Sequence, residues 1–315
     1  MKFSRQTTLR LPVNVTGIGV HSGQPATLTL SPADANTGIV FIRTGLDGPD
    51  REIAARPEAV IATDFATVLG DRNGPLISTT EHVLAALRGL GVDNATVEVD
   101  GPEAPIMDGS AAPFVAAIDR AGIVEQSAPR RYIEVLKTVQ VAAGQSLGEL
   151  RPHADGFRAE IEISFNNPMI GRQALSLDVT PQAFRKQLCR ARTFGCMADV
   201  AKLWSAGYAL GASFENSVVV DEIRILNPEG LRYADEFVRH KALDAVGDLA
   251  LAGLPLLGAY RSVRGGHKLN HAVLCALMAD RSAWRIVDAE RPRRSRGHVE
   301  AVGGLLAPAY GPDVS

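Results

Sequence analysis

Phe237-Val238-Arg239-His240-Lys241-Ala242-Leu243-Asp244-Ala245-Val246-Gly247-Asp248 places one histidine and two carboxylates four residues apart in succession. Residues at that spacing share one face of a helix. Phe237, His240, Asp244, Gly247, Asp248 and Leu251 then form a single stripe, while Ala242, Ala245, Val246 and Leu249 make the opposite side apolar as well. A helix that is apolar all round is normally buried. Burying His240, Asp244 and Asp248 costs several kcal/mol per unpaired charge, roughly, unless a partner such as a metal ion compensates. The stretch therefore predicts a central helix, roughly residues 233–252, that carries chemistry into the core.

Outward from this helix, the chain alternates strand patterns with helical ones. Strands are expected at Thr8 to Val15, Ala26 to Leu30 and Gly38 to Arg43. A helix opens at Ser78-Thr79-Thr80-Glu81, where Ser78 and Glu81 have the spacing of a capping box, and it closes at Gly91. A strand at Ala95 to Val99, a Gly- and Pro-rich loop over Gly101 to Gly109 and a helix over Ala112 to Ala121 follow; the polar stretch Glu125 to Arg130 reads as a domain boundary. The second half repeats the theme. Strands at Tyr132 to Val141, Phe157 to Phe165 and Ala174 to Val179 precede a helix begun by Thr180-Pro181. A short helix at Ala198 to Ser205, a strand at Ser217 to Ile225, the central helix, a strand at Leu256 to Val263 and a helix over Lys268 to Met278 complete the pattern. Strands then helices, twice over, predict an α+β protein of two related domains, residues 1–126 and 131–290, with a Gly- and Arg-rich tail over 291–315.

Composition narrows the function. The 315 residues are 46% hydrophobic and 22% charged, with a net charge of −2, the balance of a globular protein without the broad basic field that nucleic acid requires. Cys189, Cys196 and Cys275 are odd in number and widely spaced, which suits a reducing compartment and supplies neither a disulfide framework nor a CxxC metal site. No apolar run reaches membrane-spanning length, so no stable membrane insertion is expected and a cytoplasmic location is.

His240 and Asp244 offer two ligands, and a catalytic zinc usually takes three from the protein with one position open. His82 is the best third candidate, because Glu81 beside it places a carboxylate where it can take a proton from a metal-activated water. A purely structural alternative makes Glu81 the capping-box acid and His82 a packed core residue. His267, in the turn Gly265-Gly266-His267-Lys268, sits where a side chain can approach a ligand. Gly17-Ile18-Gly19-Val20-His21-Ser22-Gly23 has the spacing GxGxxxG and leads into a strand rather than a helix, so turn glycines are expected there, not a dinucleotide site.

Thr79-Thr80-Glu81-His82, Asp93-Asn94, Gly101-Pro102-Glu103-Ala104-Pro105-Ile106-Met107-Asp108-Gly109-Ser110, Ala191-Arg192-Thr193-Phe194-Gly195, Asp235 to Lys241, Leu243-Asp244, Gly247-Asp248 and Gly266-His267 occur in one order. From about Arg5 to Asp280 the chain thereby resembles the UDP-3-O-acyl-N-acetylglucosamine deacetylases, zinc amidases of lipid A synthesis. The resemblance implies one zinc ion held by His82, His240 and Asp244, with Glu81 as general base. It implies Thr193 as a hydrogen-bond donor to the oxyanion, His267 as a cationic acid oriented by Asp248, and Lys241 as a substrate contact. It further implies helices sandwiched between two sheets, small inserts at about 45–75 and 197–222, and an acyl-chain passage formed by the second insert. Within 203–220, Leu203, Trp204, Tyr208, Leu210, Phe214 and Val218 to Val220 surround the small Gly207, Gly211, Ala212 and Ser213, which suggests an open passage there, so Phe194, Gly211 and Ser213 are expected against substrate. The implied partner is a UDP-linked acylated amino sugar, and a monomer is expected. Cys196 departs from the family, which commonly has phenylalanine there; a small apolar filler is the simpler account and a reactive thiol the other. Two further functions fit the same residues: a zinc amidase acting on a different acylated amide, and a non-catalytic nucleotide-sugar binder with a structural metal. Structural zinc sites are Cys-rich, and no cysteine adjoins His82, His240 or Asp244 in the sequence.

Overall fold

The computed structural model describes residues 4–46 and 49–289; the expected tail over 291–315 lies outside the described residues. The fold is α+β. A five-stranded sheet runs in the order Val13–Ile18, Pro25–Pro32, Ala95–Val99, Ile39–Arg43, Arg51–Ala54, antiparallel except where Ile39–Arg43 meets Ala95–Val99. A seven-stranded sheet is built around Leu256–Val263, which pairs with Ser146–Arg151 on one side and with Phe157–Ser164 on the other, and at its start, Leu256 and Leu257, with Arg131–Val135. Val139–Ala143, Arg172–Asp178 and Trp284–Asp288 extend it. Alternation decides which faces are buried: in Phe157–Ser164, Ala159, Ile161 and Ile163 point into the core.

The helices lie between these sheets. Ala112–Ala121 packs on Val13–Ile18 and on Glu81–Leu90; Glu81–Leu90 in turn packs along Glu236–Ala250, which lies on Phe157–Ser164 and beside His267–Ala279. Glu236–Ala250 is the central helix that its composition predicts, buried at every position except Arg239 and Lys241. Fully burying one of its large apolar side chains, such as Phe237 or Leu243, contributes about 1.5–3 kcal/mol. Gly247 sets its approach to the neighbouring helix, since a Cβ there would stand 2.1 Å from the Glu81 carbonyl oxygen. Any side chain at 247 would push apart the two helices that carry Glu81, His82, His240 and Asp244.

Several boundaries differ from those the pattern suggests. The strand expected over 8–15 breaks at Pro12, which has no N–H for a ladder; Arg5–Leu9 leaves to pair with Ile123–Pro129. That pairing makes the polar stretch over 125–130 largely a strand rather than a linker. The expected strand over 132–141 divides into Arg131–Val135 and Val139–Ala143, and only Val218–Val220 is extended within 217–225. The first insert is Pro57–Ile77, a turn of 3-10 helix and a three-stranded sheet, because Arg51–Ala54 belongs to the large sheet. The second insert is closed by parallel pairing of Phe194–Cys196 with Val218–Val220, with Val200–Ser205 helical between them.

Candidate active site

His82, His240 and Asp244 meet at the crossing of the two helices. All three are buried, and each offers one ligand atom within 4.8 Å of the others. Asp244 Oδ1 stands 3.2 Å from His240 Nε2 and 3.7 Å from His82 Nε2, yet it is buried with no hydrogen-bond partner. An orphaned carboxylate oxygen facing two imidazoles costs several kcal/mol, roughly, unless a cation joins them, and a metal ion satisfies all three at once. The surroundings fit that use. His240 Nδ1 lies 3.1 Å from the Ala191 carbonyl, which sets Nδ1 as the donor and leaves Nε2 with its lone pair toward Asp244. Burial, opposed by Asp244, pushes the His240 pKa down to about 3, so the imidazole is neutral as a ligand must be. Asp244 Oδ2 accepts from Lys241 Nζ at 2.9 Å.

Glu81 does not form a capping box. It is the first residue of its helix, Thr80 makes no side-chain cap, and the Glu81 carboxylate is buried with Oε2 accepting from the Thr67 backbone N–H at 3.0 Å. Its other oxygen is 4.0 Å from His267 Nε2. Burial raises the Glu81 pKa against the opposing pull of His267 and His82, the direction that makes a carboxylate a better base. The chain enters this helix through Thr79, a β-branched residue at φ +57°, a conformation that is costly without support. Support comes from Glu103, which accepts from Thr79 Oγ1 at 2.7 Å and from the backbone N–H groups of His21 and Ser22. The Gly17–Gly23 turn thus spends these donors on Glu103, not on a phosphate.

His267 opens the helix His267–Ala279, with Nδ1 2.9 Å from Asp248 Oδ2. Burial alone would disfavour its cation, but Asp248, followed by Glu81 and Asp244, outweighs that and pushes the pKa up to about 9. Asp248 is itself held by Thr67 Oγ1 at 2.6 Å and Asn270 Nδ2 at 2.8 Å. Thr67, Asn270 and Glu103 escaped the sequence reading. Thr67 serves both Glu81 and Asp248 from the residue just before the insert strand Val68–Asp71, in a stretch that carries no motif. Asn270, one turn beyond His267, was the more legible.

Thr193 and Phe194 reach the same cavity, about 580 Å³ in volume, which is also lined by Glu81, His82, His240, Lys241, Asp244 and His267. The buried Arg192 anchors that segment through Nε to Glu236 Oε1 at 2.9 Å, tying Thr193 to the start of the His240 helix. Phe194 packs edge-on against Phe237, with ring centroids 4.9 Å apart. Away from the polar end, Val20, Phe65, Val141, Leu203, Val219 and Leu269 form apolar walls drawn from both inserts, the second sheet, the Gly17–Gly23 turn and the helix His267–Ala279. Cys196 lines the cavity half-buried, and burial raises its pKa, which keeps it a thiol and suits a filler. Gly211 and Ser213 are not among the lining residues. Gly211 instead packs backbone to backbone, its N–H donating to Val20 O at 3.0 Å and an added Cβ meeting Gly19 O at 2.3 Å, while the Ser213 N–H donates to Asn216 Oδ1. Gly195 does line the cavity, and a Cβ on it would meet nothing within 4 Å.

The profile of the family described as UDP-3-O-acyl N-acetylglycosamine deacetylase matches residues 6–279. Proteins named UDP-3-O-acyl-N-acetylglucosamine deacetylase from Brucella ovis and Brucella abortus are each 52% identical over 285 residues, 90% of this chain and 99% of theirs. The same figures hold for the protein of that name from Brucella melitensis. The chain therefore belongs to the UDP-3-O-acyl-N-acetylglucosamine deacetylase family.

Proposed function

We propose that this protein is a zinc-dependent hydrolase that removes the N-acetyl group of UDP-3-O-acyl-N-acetylglucosamine, releasing acetate and the free amine for lipid A biosynthesis. Family membership carries the reaction, and the buried His82, His240 and Asp244 with the orphaned Asp244 Oδ1 carry the metal. A zinc ion held by these three side chains would supply Lewis acidity toward the amide carbonyl and an attacking water.

The remaining chemistry falls to the chain. Glu81 Oε1, with Oε2 fixed by Thr67, takes a proton from the water whose oxygen bonds to the amide carbon. As the carbonyl oxygen gains negative charge, the Thr193 hydroxyl donates to it and the His267 cation lowers its energy. The C–N bond then breaks, and His267 Nε2 gives its proton to the departing nitrogen while Asp248 holds Nδ1. Lys241 keeps the Asp244 carboxylate oriented and adds positive charge toward the substrate. The apolar walls accept the 3-O-acyl chain at about 0.8 kcal/mol per buried methylene, and part of that energy places the amide.

We further propose two folding units, residues 1–126 and 131–290, with the first extended to keep the strand Ile123–Pro129 whole and the junction at Arg130. Among the described residues, strands up to Pro129 pair only with one another, as do those from Arg131 onward. A cytoplasmic location is supported by the three free cysteines. No helix among the described residues is long and apolar enough to cross a membrane.

Mass spectrometry of UDP-3-O-acyl-N-acetylglucosamine after incubation with the purified, zinc-loaded protein tests the reaction. Loss of one acetyl group is expected; an unchanged substrate, or loss of the O-acyl chain instead, overturns it.

A further inference from the structure

A second cavity, about 370 Å³ in volume, opens at the far ends of the two catalytic helices, away from His82 and His240. Arg88 and Gly91 border it from one helix end, and Val246, Leu249 and Ala250 border it from the other. Its body is apolar, with Phe157, Leu256 and Leu257 from the second sheet completing the wall. Two arginines border this space, Arg88 and Arg130, with Tyr132 and Asp155 beside them. Arg88 Nη2 lies 3.5 Å from the Ala250 carbonyl oxygen, a long contact, while Nε and Nη1 are buried with no hydrogen-bond partner among the described residues.

Asp155 also lines the cavity, yet Nε and Nη1 of Arg88 have no acceptor among the described residues. The carboxylate that acts on it, Asp93, already accepts from Arg130 Nε and the Thr7 backbone N–H, and Arg130 and Arg56 add positive charge. Asp178, at the cavity edge, is joined to Arg158 at 2.8 Å. Burial lowers the Arg88 pKa to about 10, with Asp93 opposing, so the side chain remains a cation at neutral pH. Its position near both helix C-termini explains one nitrogen, since cations are favoured there. It leaves the other two unexplained, and buried donors normally find acceptors.

We propose that this cavity is a binding site for an anionic amphiphile, whose carboxylate or phosphate accepts hydrogen bonds from Arg88 while its short apolar portion packs on Phe157, Leu249 and Leu256. The site is separate from the acyl passage and does not depend on the deacetylase reading. Because it touches the same two helices from behind, an occupant can bias their spacing, and any effect on substrate binding must be reciprocal.

Calorimetric titration of the full-length, zinc-loaded protein with octanoate, and with octan-1-ol as the uncharged comparison, tests this. Octanoate should show two components in the wild type, one of them belonging to the catalytic cavity. Arg88→Met, which keeps the stem but removes the cation, should weaken the other component at least about tenfold, the usual consequence of losing a charge-assisted hydrogen bond. Leu249→Trp, which fills the cavity from the opposite wall and leaves Arg88 in place, should abolish the same component. It decides the matter should Arg88→Met fail to fold. Octan-1-ol should lack that component altogether. Octanoate isotherms that coincide in wild type and Leu249→Trp, or an octan-1-ol component as strong as that of octanoate, overturn the proposal.

Discussion

Replacing Asp248 by asparagine separates the charge of His267 from its position. In the folded protein His267 has a pKa of about 9, although its burial works in the opposite direction; the Asp248 carboxylate 2.9 Å away is the largest influence raising it. Asparagine keeps the volume and an oxygen for Nδ1–H but removes the charge, so burial should draw the pKa down toward the ordinary 6.5, with Glu81 and Asp244 still opposing. A pKa that falls the whole way to 6.5 lowers the protonated fraction at pH 7.5 from about 0.97 to about 0.09, a loss of kcat/KM of up to about tenfold when the His267 cation is the working form. The descending limb of the pH profile should move from near 9 toward 6.5. Stability moves with it. A folded pKa above the unfolded one means that the imidazolium–carboxylate pair stabilises fully below pH 6.5 and loses its effect as pH rises through 9. The contribution is about 3 kcal/mol for a fully buried pair. Deacetylation rates and thermal unfolding of both proteins from pH 6 to 10 measure these effects. A descending limb in Asp248→Asn that superimposes on the wild type, with zinc content equal, would refute the role given to the pair.

Glu81→Ala should retain one zinc ion and bind substrate but lose kcat by a factor on the order of 10² to 10⁴; near wild-type turnover would make Glu81 a purely structural carboxylate held by Thr67. His82→Ala, His240→Ala and Asp244→Ala should each purify without zinc by elemental analysis, and stoichiometric metal in all three would dismantle the centre. Substrate lacking the 3-O-acyl chain should lose orders of magnitude in kcat/KM, and Gly195→Leu, which projects into free cavity space, should penalise the long-chain substrate far more than the unacylated sugar. Equal kcat/KM for the two substrates in the wild type would mean that the apolar walls serve packing alone. Gly211→Trp is unsuited to that test, because its Cβ would already collide with the Gly19 carbonyl oxygen.

Local periodicity was enough to locate the central helix, because His240, Asp244 and Asp248 recur at the helical spacing in a segment apolar on every side. His82 was nominated by the carboxylate beside it, Glu81, against the alternative of a packed core histidine, and His267 by its Gly-rich turn. The α+β class also followed from element order. What local pattern could not contain is the set of contacts made between distant segments. Glu81 looked like a capping residue until the fold placed the Thr67 N–H against its carboxylate. Thr67 also bonds Asp248, 181 residues away, and no spacing rule reaches across that interval. Gly211 sat among small residues that suggested an open passage, yet tertiary packing pressed it onto the Gly19 backbone and gave the open position to Gly195. Strand limits failed for the same reason, as Arg5–Leu9 and Ile123–Pro129 owe their extended form to each other. Sequence determined which side chains are chemically expensive to bury. Tertiary structure decided which partners offset that cost, because hydrogen bonds and excluded volume depend on distance in space and not along the chain.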